Sequence, residues 1–242
     1  MSERPAIPLQ HRQVEAALRL YQKCRWWQAT DEALDSLASS FPDFNFKSTL
    51  LKAAAVNALY GTQVYAVAEV AEHLCAILRE TRLPATPALV GDLARVKFVR
   101  GSKQETRTLR SFASKFAHFF IDPDRFPIYD SYAVKMLTYH LDGKAREELP
   151  YGDFVAGFSA LKNAFDLPVT TRQLDRYLWL AGQLRAWKGL PPWRKPYTAI
   201  NSELQCLFEY PAGEIQELTE AVLGEGEQGK FEPANKARKN FR

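Results

Sequence analysis

Apolar residues recur at the spacing of one helix face along most of the chain: Val14, Ala17, Leu18 and Tyr21; Leu50, Leu51, Ala54, Ala55 and Ala58; Val64, Val67, Ala71, Leu74 and Leu78. No proline falls between Pro42 and Pro84, so nothing interrupts the helices predicted there. Pro84 and Pro87 punctuate the join to a further helix, predicted to carry Leu89, Leu93 and Val96. The pattern resumes with Ala133, Val134 and Leu137, with Phe154, Phe158, Leu161 and Phe165, and with Leu174, Tyr177, Leu178 and Ala181. No strand alternation or internal repeat stands out, and the expected fold class is all-α.

Two stretches break the pattern. Ile121 to Ile128 (IDPDRFPI) reads as a short loop between two helices, and Lys188 to Pro196 (KGLPPWRKP) as a longer crossing toward a last helix around Ile215, Leu218 and Val222. Asp130, followed by Ser131 and the apolar Ala133, Val134 and Leu137, has the signature of a helix N-cap. Residues 1–222 are expected to form one helical unit. Residues 223–242, rich in Gly and charge, are expected to be a flexible basic tail whose Lys236, Arg238, Lys239 and Arg242 could touch nucleic acid, although a frayed terminus is the preferred account.

The composition of the 242 residues, 46% hydrophobic and 25% charged, is that of a globular protein and argues against a fibre or a disordered hub. No apolar run approaches the roughly 20 residues that span a bilayer, and Met1 to Pro8 lacks the apolar core of a secretory signal, so a cytoplasmic address and no membrane partner are expected. Cys24, Cys75 and Cys206 are far apart, which suggests small core residues and neither a disulfide framework nor a metal or iron–sulfur site. Scattered His, Asp and Glu give no ligand spacing, and no cofactor or metal is expected.

Net charge is a mild +4, but it is unevenly spread. Arg95, Lys97, Arg100, Lys103, Arg107, Arg110 and Lys115 face the single acid Glu105 over 21 residues, a concentration that suits a phosphate backbone and is also compatible with a solvated helix face.

The chemistry-bearing segment is Leu109 to Leu137, LRSFASKFAHFFIDPDRFPIYDSYAVKML. It reads as two short helices joined by a tight hairpin at Ser111-Phe112-Ala113, then a loop closed by Phe126-Pro127-Ile128-Tyr129 that delivers Asp130 to the next helix. This segment resembles the helix-hairpin-helix DNA glycosylase superfamily, which includes endonuclease III and 8-oxoguanine glycosylase. The family hairpin Leu-Pro-Gly-Val-Gly-x-Lys-x-Ala is matched in register by Leu109 to Ala117, with Ser111 and Ala113 standing where the family has glycines. The lysine at the Lys115 position is the nucleophile of bifunctional members. The family's apolar-Pro-apolar-Asp sequence is matched by Phe126 to Asp130 with one inserted residue, which implies the essential carboxylate at Asp130.

The resemblance further implies a helical fold with a cleft between two lobes, the hairpin at 109–117, and DNA contacts from Arg107, Arg110, Ser111, Phe112, Ala113 and Ser114. The family's earlier helix pair carries a polar wedge for the space left by a flipped nucleotide, and Thr62 or Gln63 holds that place in Ala58 to Tyr65. Tyr60, His118, Tyr129, Tyr132, Trp26 and Trp27 are candidate walls of a base pocket. A smaller bacterial set with a Ser-Phe-Ala-Ser-Lys…Pro-Ile-Tyr-Asp arrangement looks most similar; it includes an anti-phage glycosylase acting on glucosylated hydroxymethylcytosine. The resemblance thus implies a monomeric DNA N-glycosylase acting on a modified base in double-stranded DNA, in repair or in phage defence.

That chemistry suits the residue types. An N-glycosidic bond breaks through an oxocarbenium-like sugar, so a carboxylate near C1′ stabilises the charge and orients water. A lysine could instead attack C1′, form a Schiff base and cleave the strand by β-elimination; the water route is favoured here. Two other readings stay open: a non-catalytic helix-hairpin-helix DNA-binding module, with Asp130 only a cap and Lys115 a phosphate contact, and a helical interaction protein whose aromatics are core.

Overall fold

The computed structural model describes residues 7–79, 86–191, 195 and 200–224. Among them run eleven helices and one two-stranded sheet, in the order α1 (His11–Tyr21), α2 (Arg25–Ser40), α3 (Phe46–Tyr60), α4 (Val67–Leu78), α5 (Pro87–Ala94), β1 (Arg95–Arg100), β2 (Lys103–Thr108), α6 (Arg110–Phe120), α7 (Ser131–Asp142), α8 (Tyr151–Ala164), α9 (Thr171–Gly189), α10 (Ser202–Glu209) and α11 (Glu214–Leu223). The protein is mostly helical, as its periodicity predicts. Residues 225–242, nearly all of the expected tail, lie outside the described residues, as do 192–194 and 196–199 of the Pro-rich crossing.

The chain divides into two compact units, one comprising Met1–Trp26, Asp130–Leu149 and Gly157–Arg242, the other Trp27–Tyr129 and Pro150–Ala156. In the first unit α9 packs on α1 and α7, and α11 packs on α1. The buried face of α9 carries Leu174, Tyr177, Leu178 and Ala181. A Cβ added to Gly182 would lie 2.7 Å from the Tyr132 carbonyl oxygen, so only glycine lets α9 approach the α7 backbone this closely. At the far end of α7, His140 donates from Nδ1 to the Ile7 carbonyl at 2.8 Å and accepts at Nε2 from the Tyr177 hydroxyl at 3.0 Å. Both ring nitrogens of this buried imidazole are thereby satisfied in the neutral form.

In the second unit α3 packs on α4 and α6, and α5 on α6. The core is Val56, Val70, Leu74, Val90, Leu93, Phe112 and Phe116. Asn45 caps α3 by accepting from the Ser48 amide at 3.0 Å, and the helix ends at Gly61 in the left-handed region (φ 56°).

Two expectations need correction in this unit. Val96 does not extend the helix of Leu89 and Leu93: α5 stops at Ala94 and the chain turns into an antiparallel hairpin whose ends are closed by Leu109 N–H donating to the Ala94 carbonyl at 2.8 Å. Arg95-Val96-Lys97-Phe98 alternates with period two, and Gly101 (φ 62°) supplies the turn. Val96 and Phe98 are buried while Arg95, Lys97 and Val99 are exposed.

Nor is there a helix-hairpin-helix turn at 109–117. A strand, not a helix, precedes Leu109, and Ser111, Phe112 and Ala113 lie inside the continuous helix α6. With serine and alanine where a tight turn favours glycine, no residue of the segment prefers left-handed backbone, and Ala113 and Ala117 favour helix. Of the cysteines, Cys24 and Cys75 are buried as expected, whereas Cys206 is exposed.

Candidate functional site

α6 organises the candidate residues of the second unit. Its buried edge holds Phe112, Ala113, Phe116 and Ala117, and its next face places Ser111, Ser114, Lys115 and His118 in turn. Lys115 is only 6% exposed. Its Nζ donates to Ser111 Oγ at 2.6 Å and to the Ser111 carbonyl at 3.3 Å, one helical turn back. The same Nζ lies 5.6 Å from the centroid of the Tyr60 ring. Tyr60 in turn donates its hydroxyl to Asp31 at 3.0 Å and meets Trp27 edge to face, with centroids 5.0 Å apart. Tyr60 of α3 therefore faces the amine of α6, and Trp27 and Asp31 of α2 fix Tyr60 in turn.

A second cluster fixes the loop after α6. Ser114 Oγ accepts from the Tyr129 amide at 2.9 Å while donating to the Ser111 carbonyl at 3.1 Å. Arg110 donates to the Tyr129 hydroxyl at 3.2 Å and lies over its ring, 5.0 Å from the centroid. Tyr151 donates to the Pro127 carbonyl at 2.9 Å, and Phe154 abuts Tyr129 at 5.2 Å between centroids. His118 is turned to the loop as well, with Nδ1 2.9 Å from the Phe126 carbonyl oxygen. Its 1% exposure makes it a brace of the loop rather than a wall of an open pocket, because the ring is spent on a main-chain acceptor.

Asp130 belongs to the first unit. It caps α7 as the sequence predicts, accepting from the Tyr132 amide at 2.8 Å from extended backbone. The residue is half-buried. Tyr132 is buried in that unit, where its backbone is the surface Gly182 packs on. Trp26, which belongs to the first unit, is 66% exposed and its amide donates to Glu203 at 2.8 Å.

The proposed DNA contacts sort themselves by burial. Phe112, Ala113 and Ser114 are at most 2% exposed and are core or loop-clamping residues, which corrects their reading as a DNA-facing turn. Ser111 is exposed. Arg107 is exposed, yet its guanidinium makes two bonds to Glu105, at 2.8 and 3.0 Å, above the Phe98 ring. Of the two wedge candidates, Thr62 is tied down by donating to Asn57 Oδ1 at 2.9 Å. Gln63 is exposed and held at φ 58° at the tip of the α3–α4 loop. That loop and the hairpin line one shallow groove, with Gln63, Tyr65 and Ala66 on one side and Phe98, Glu105 and Arg107 on the other.

Asp31 and Lys52 are among the buried polar residues that escaped the sequence reading. Asp31 is 6% exposed and anchors Tyr60. Lys52 is 1% exposed; its ammonium sits 4.1 Å from the Phe44 centroid and donates to the Asp43 carbonyl at 2.7 Å, and burial holds its pKa below the ordinary lysine value. Each occupies a core phase of its helix, Asp31 three residues before Leu34 and Lys52 between Thr49 and Val56. A charged residue in an apolar register was the available signal.

Among the described residues no helix is long and apolar enough to cross a membrane. Residues 13–125 match a family model described as HI_0787_N, an N-terminal domain. The match begins within α1, takes in the hairpin and Lys115, and stops before Asp130. No curated protein and no solved structure matches the chain.

Proposed function

We propose that this chain binds double-stranded DNA and hydrolyses the N-glycosidic bond of a modified base, leaving an abasic site. The observation that carries the reading is the Lys115 amine, buried and held by Ser111 beside the Tyr60 ring, with Trp27 next in the aromatic row. A base taken out of the stack, at a cost of a few kcal/mol by rough estimate, needs both an aromatic surface and hydrogen-bonding groups to receive it. Tyr60 and Trp27 supply the first, and Lys115 and Ser111 the second. By the resemblance of the Phe126 to Asp130 segment, and not by its placement, Asp130 is assigned the carboxylate that steadies the oxocarbenium-like sugar and orients water. Glucosylated hydroxymethylcytosine of phage DNA is the first substrate to try, because the Ser-Phe-Ala-Ser-Lys and Pro-Ile-Tyr-Asp segments resemble those of glycosylases acting on it.

The test is incubation with phage DNAs and synthetic duplexes of different base modification, followed by abasic-site detection. Abasic sites on one modification, lost in Asp130→Asn, support the reading; none on any DNA removes it. A second reading, DNA binding without catalysis, is favoured by one observation: Asp130 is fully accounted for as the N-cap of α7, accepting from the Tyr132 amide at 2.8 Å. Under it, Asp130→Asn binds every duplex as the wild type does and neither protein yields abasic sites.

A further inference from the structure

The basic residues that the sequence places between 95 and 108 are not equivalent once the hairpin is formed. Cross-strand partners share a face of an antiparallel pair, and successive residues alternate between faces. The register pairs Arg95 with Thr108, Lys97 with Thr106 and Val99 with Gln104 on one face. The opposite face pairs Val96 with Arg107 and Phe98 with Glu105. This second face is the packed one: Val96 and Phe98 are buried there, and Arg107 is engaged with Glu105 over Phe98.

The first face is uncovered among the described residues. All six of its residues are exposed. It carries two cations, two hydroxyls and an amide, and no carboxylate; the one acid of the hairpin, Glu105, points the other way. We infer that this outer face of the β1–β2 hairpin is a two-stranded ribbon that docks on duplex DNA, with Arg95 and Lys97 on phosphates and Thr106, Thr108 and Gln104 donating to the backbone or to base edges. The inference rests on the proposed function for its choice of partner and adds to it the surface that holds the duplex.

Charge complementarity selects the occupant. Residues two apart on a strand stand ~6.8 Å apart, close to two rises of one DNA strand at ~3.4 Å each. A two-stranded ribbon, with strands ~4.8 Å apart, fits a major groove ~12 Å wide. Threonine hydroxyls and a glutamine amide opposite the cations are the uncharged donors that commonly meet phosphate and base oxygens. The groove lined by Gln63 and Tyr65 lies on the packed side of the hairpin and leaves the outer face clear of the α3–α4 loop.

The experiment compares four proteins on an unmodified 20-base-pair duplex over a range of salt: the wild type, Arg95→Ala/Lys97→Ala, Thr106→Glu, and a charge-matched control, Lys47→Ala/Lys188→Ala, whose exposed lysines lie outside the hairpin. Losing two phosphate contacts should lower the slope of log K against log salt by about 1.8 and weaken binding by tenfold or more at ~0.15 M salt. Thr106→Glu, which sets a carboxylate beside Lys97, should weaken binding too, and the control should behave as the wild type. Thermal melting confirms that all four are folded. A wild type that binds no duplex, a hairpin double variant whose slope equals the control's, or hairpin-dependent binding to RNA or an acidic protein in place of duplex DNA overturns the assignment. Failure of the base-excision reading looks different: the duplex is bound through the ribbon, yet no modified DNA acquires abasic sites.

Discussion

Lys115 Nζ lies 2.6 Å from Ser111 Oγ, so the exposed serine one turn earlier on α6 sets the position of a buried amine. The pair gives the proposed chemistry a geometric constraint: the amine is already hydrogen-bonded, and Schiff-base formation would require it neutral and free to reach C1′. Expected, therefore, is a monofunctional enzyme. Borohydride should trap no protein–DNA adduct, and Lys115→Gln should slow base release without abolishing it. An adduct that forms in the wild type and vanishes in Lys115→Gln would reverse the assignment and make Lys115 the nucleophile.

Asp130→Asn separates cap from catalyst. Asparagine caps a helix about as well as aspartate, so stability should change by less than ~0.5 kcal/mol. Base release should fall by roughly 10²–10³, the usual loss when one preorganised electrostatic group at a developing charge is removed. Single-turnover rates measured beside urea melts give both numbers, and an unchanged rate would leave Asp130 as a cap alone.

Ser114 is the clamp on the Tyr129 amide. Ser114→Ala leaves that buried donor without its acceptor, a loss expected to cost about 1–3 kcal/mol. Amide exchange at Tyr129 and a lowered urea midpoint are the readouts; retention of slow exchange would show that another acceptor takes over.

Burial holds the pKa of His140 down to about 4. The unfolded chain binds this proton near pH 6.5, so the contribution of the neutral imidazole is complete above ~6.5 and is lost as pH falls toward 4, by about 3 kcal/mol in all. Unfolding free energies at pH 7.5, 5.5 and 4.5 should diverge between the wild type and His140→Gln, the variant showing the shallower decline. Parallel curves would mean that the imidazole accepts its proton in the folded state.

Gly182→Ala tests the approach of α9 to α7. The added methyl would meet a main-chain oxygen at 2.7 Å, which cannot swing aside as a side chain can. A destabilisation of about 1–3 kcal/mol is expected, read as a lower melting temperature.

The helices were legible because their apolar positions repeat at 3.6 residues, and Asp130 as a cap because the residues after it resume that pattern. The hairpin was hidden by length: Val96 and Phe98 give only two apolar positions, and both Leu93 to Val96 and Leu89 to Val96 also satisfy a helical spacing. The turn expected at Ser111 came from aligning a motif whose glycines this chain lacks, and those glycines are what make the turn. The convergence of Trp27, Tyr60 and Lys115 was not legible at all, since they lie on three different helices and only tertiary packing brings them together. Their residue types marked them as candidates, but nothing in the spacing linked them through Tyr60 into one row.

The two-sidedness of the hairpin has an evolutionary consequence. Val96 and Phe98 answer only to packing, whereas Arg95, Lys97, Gln104, Thr106 and Thr108 are bare and answer only to whatever meets them. Mutation can therefore rewrite the outer row without touching the scaffold, as long as β-forming residues are used. A lineage facing changed targets could retune this surface in single steps, and a library randomised at those five positions should stay folded while its binding preferences scatter.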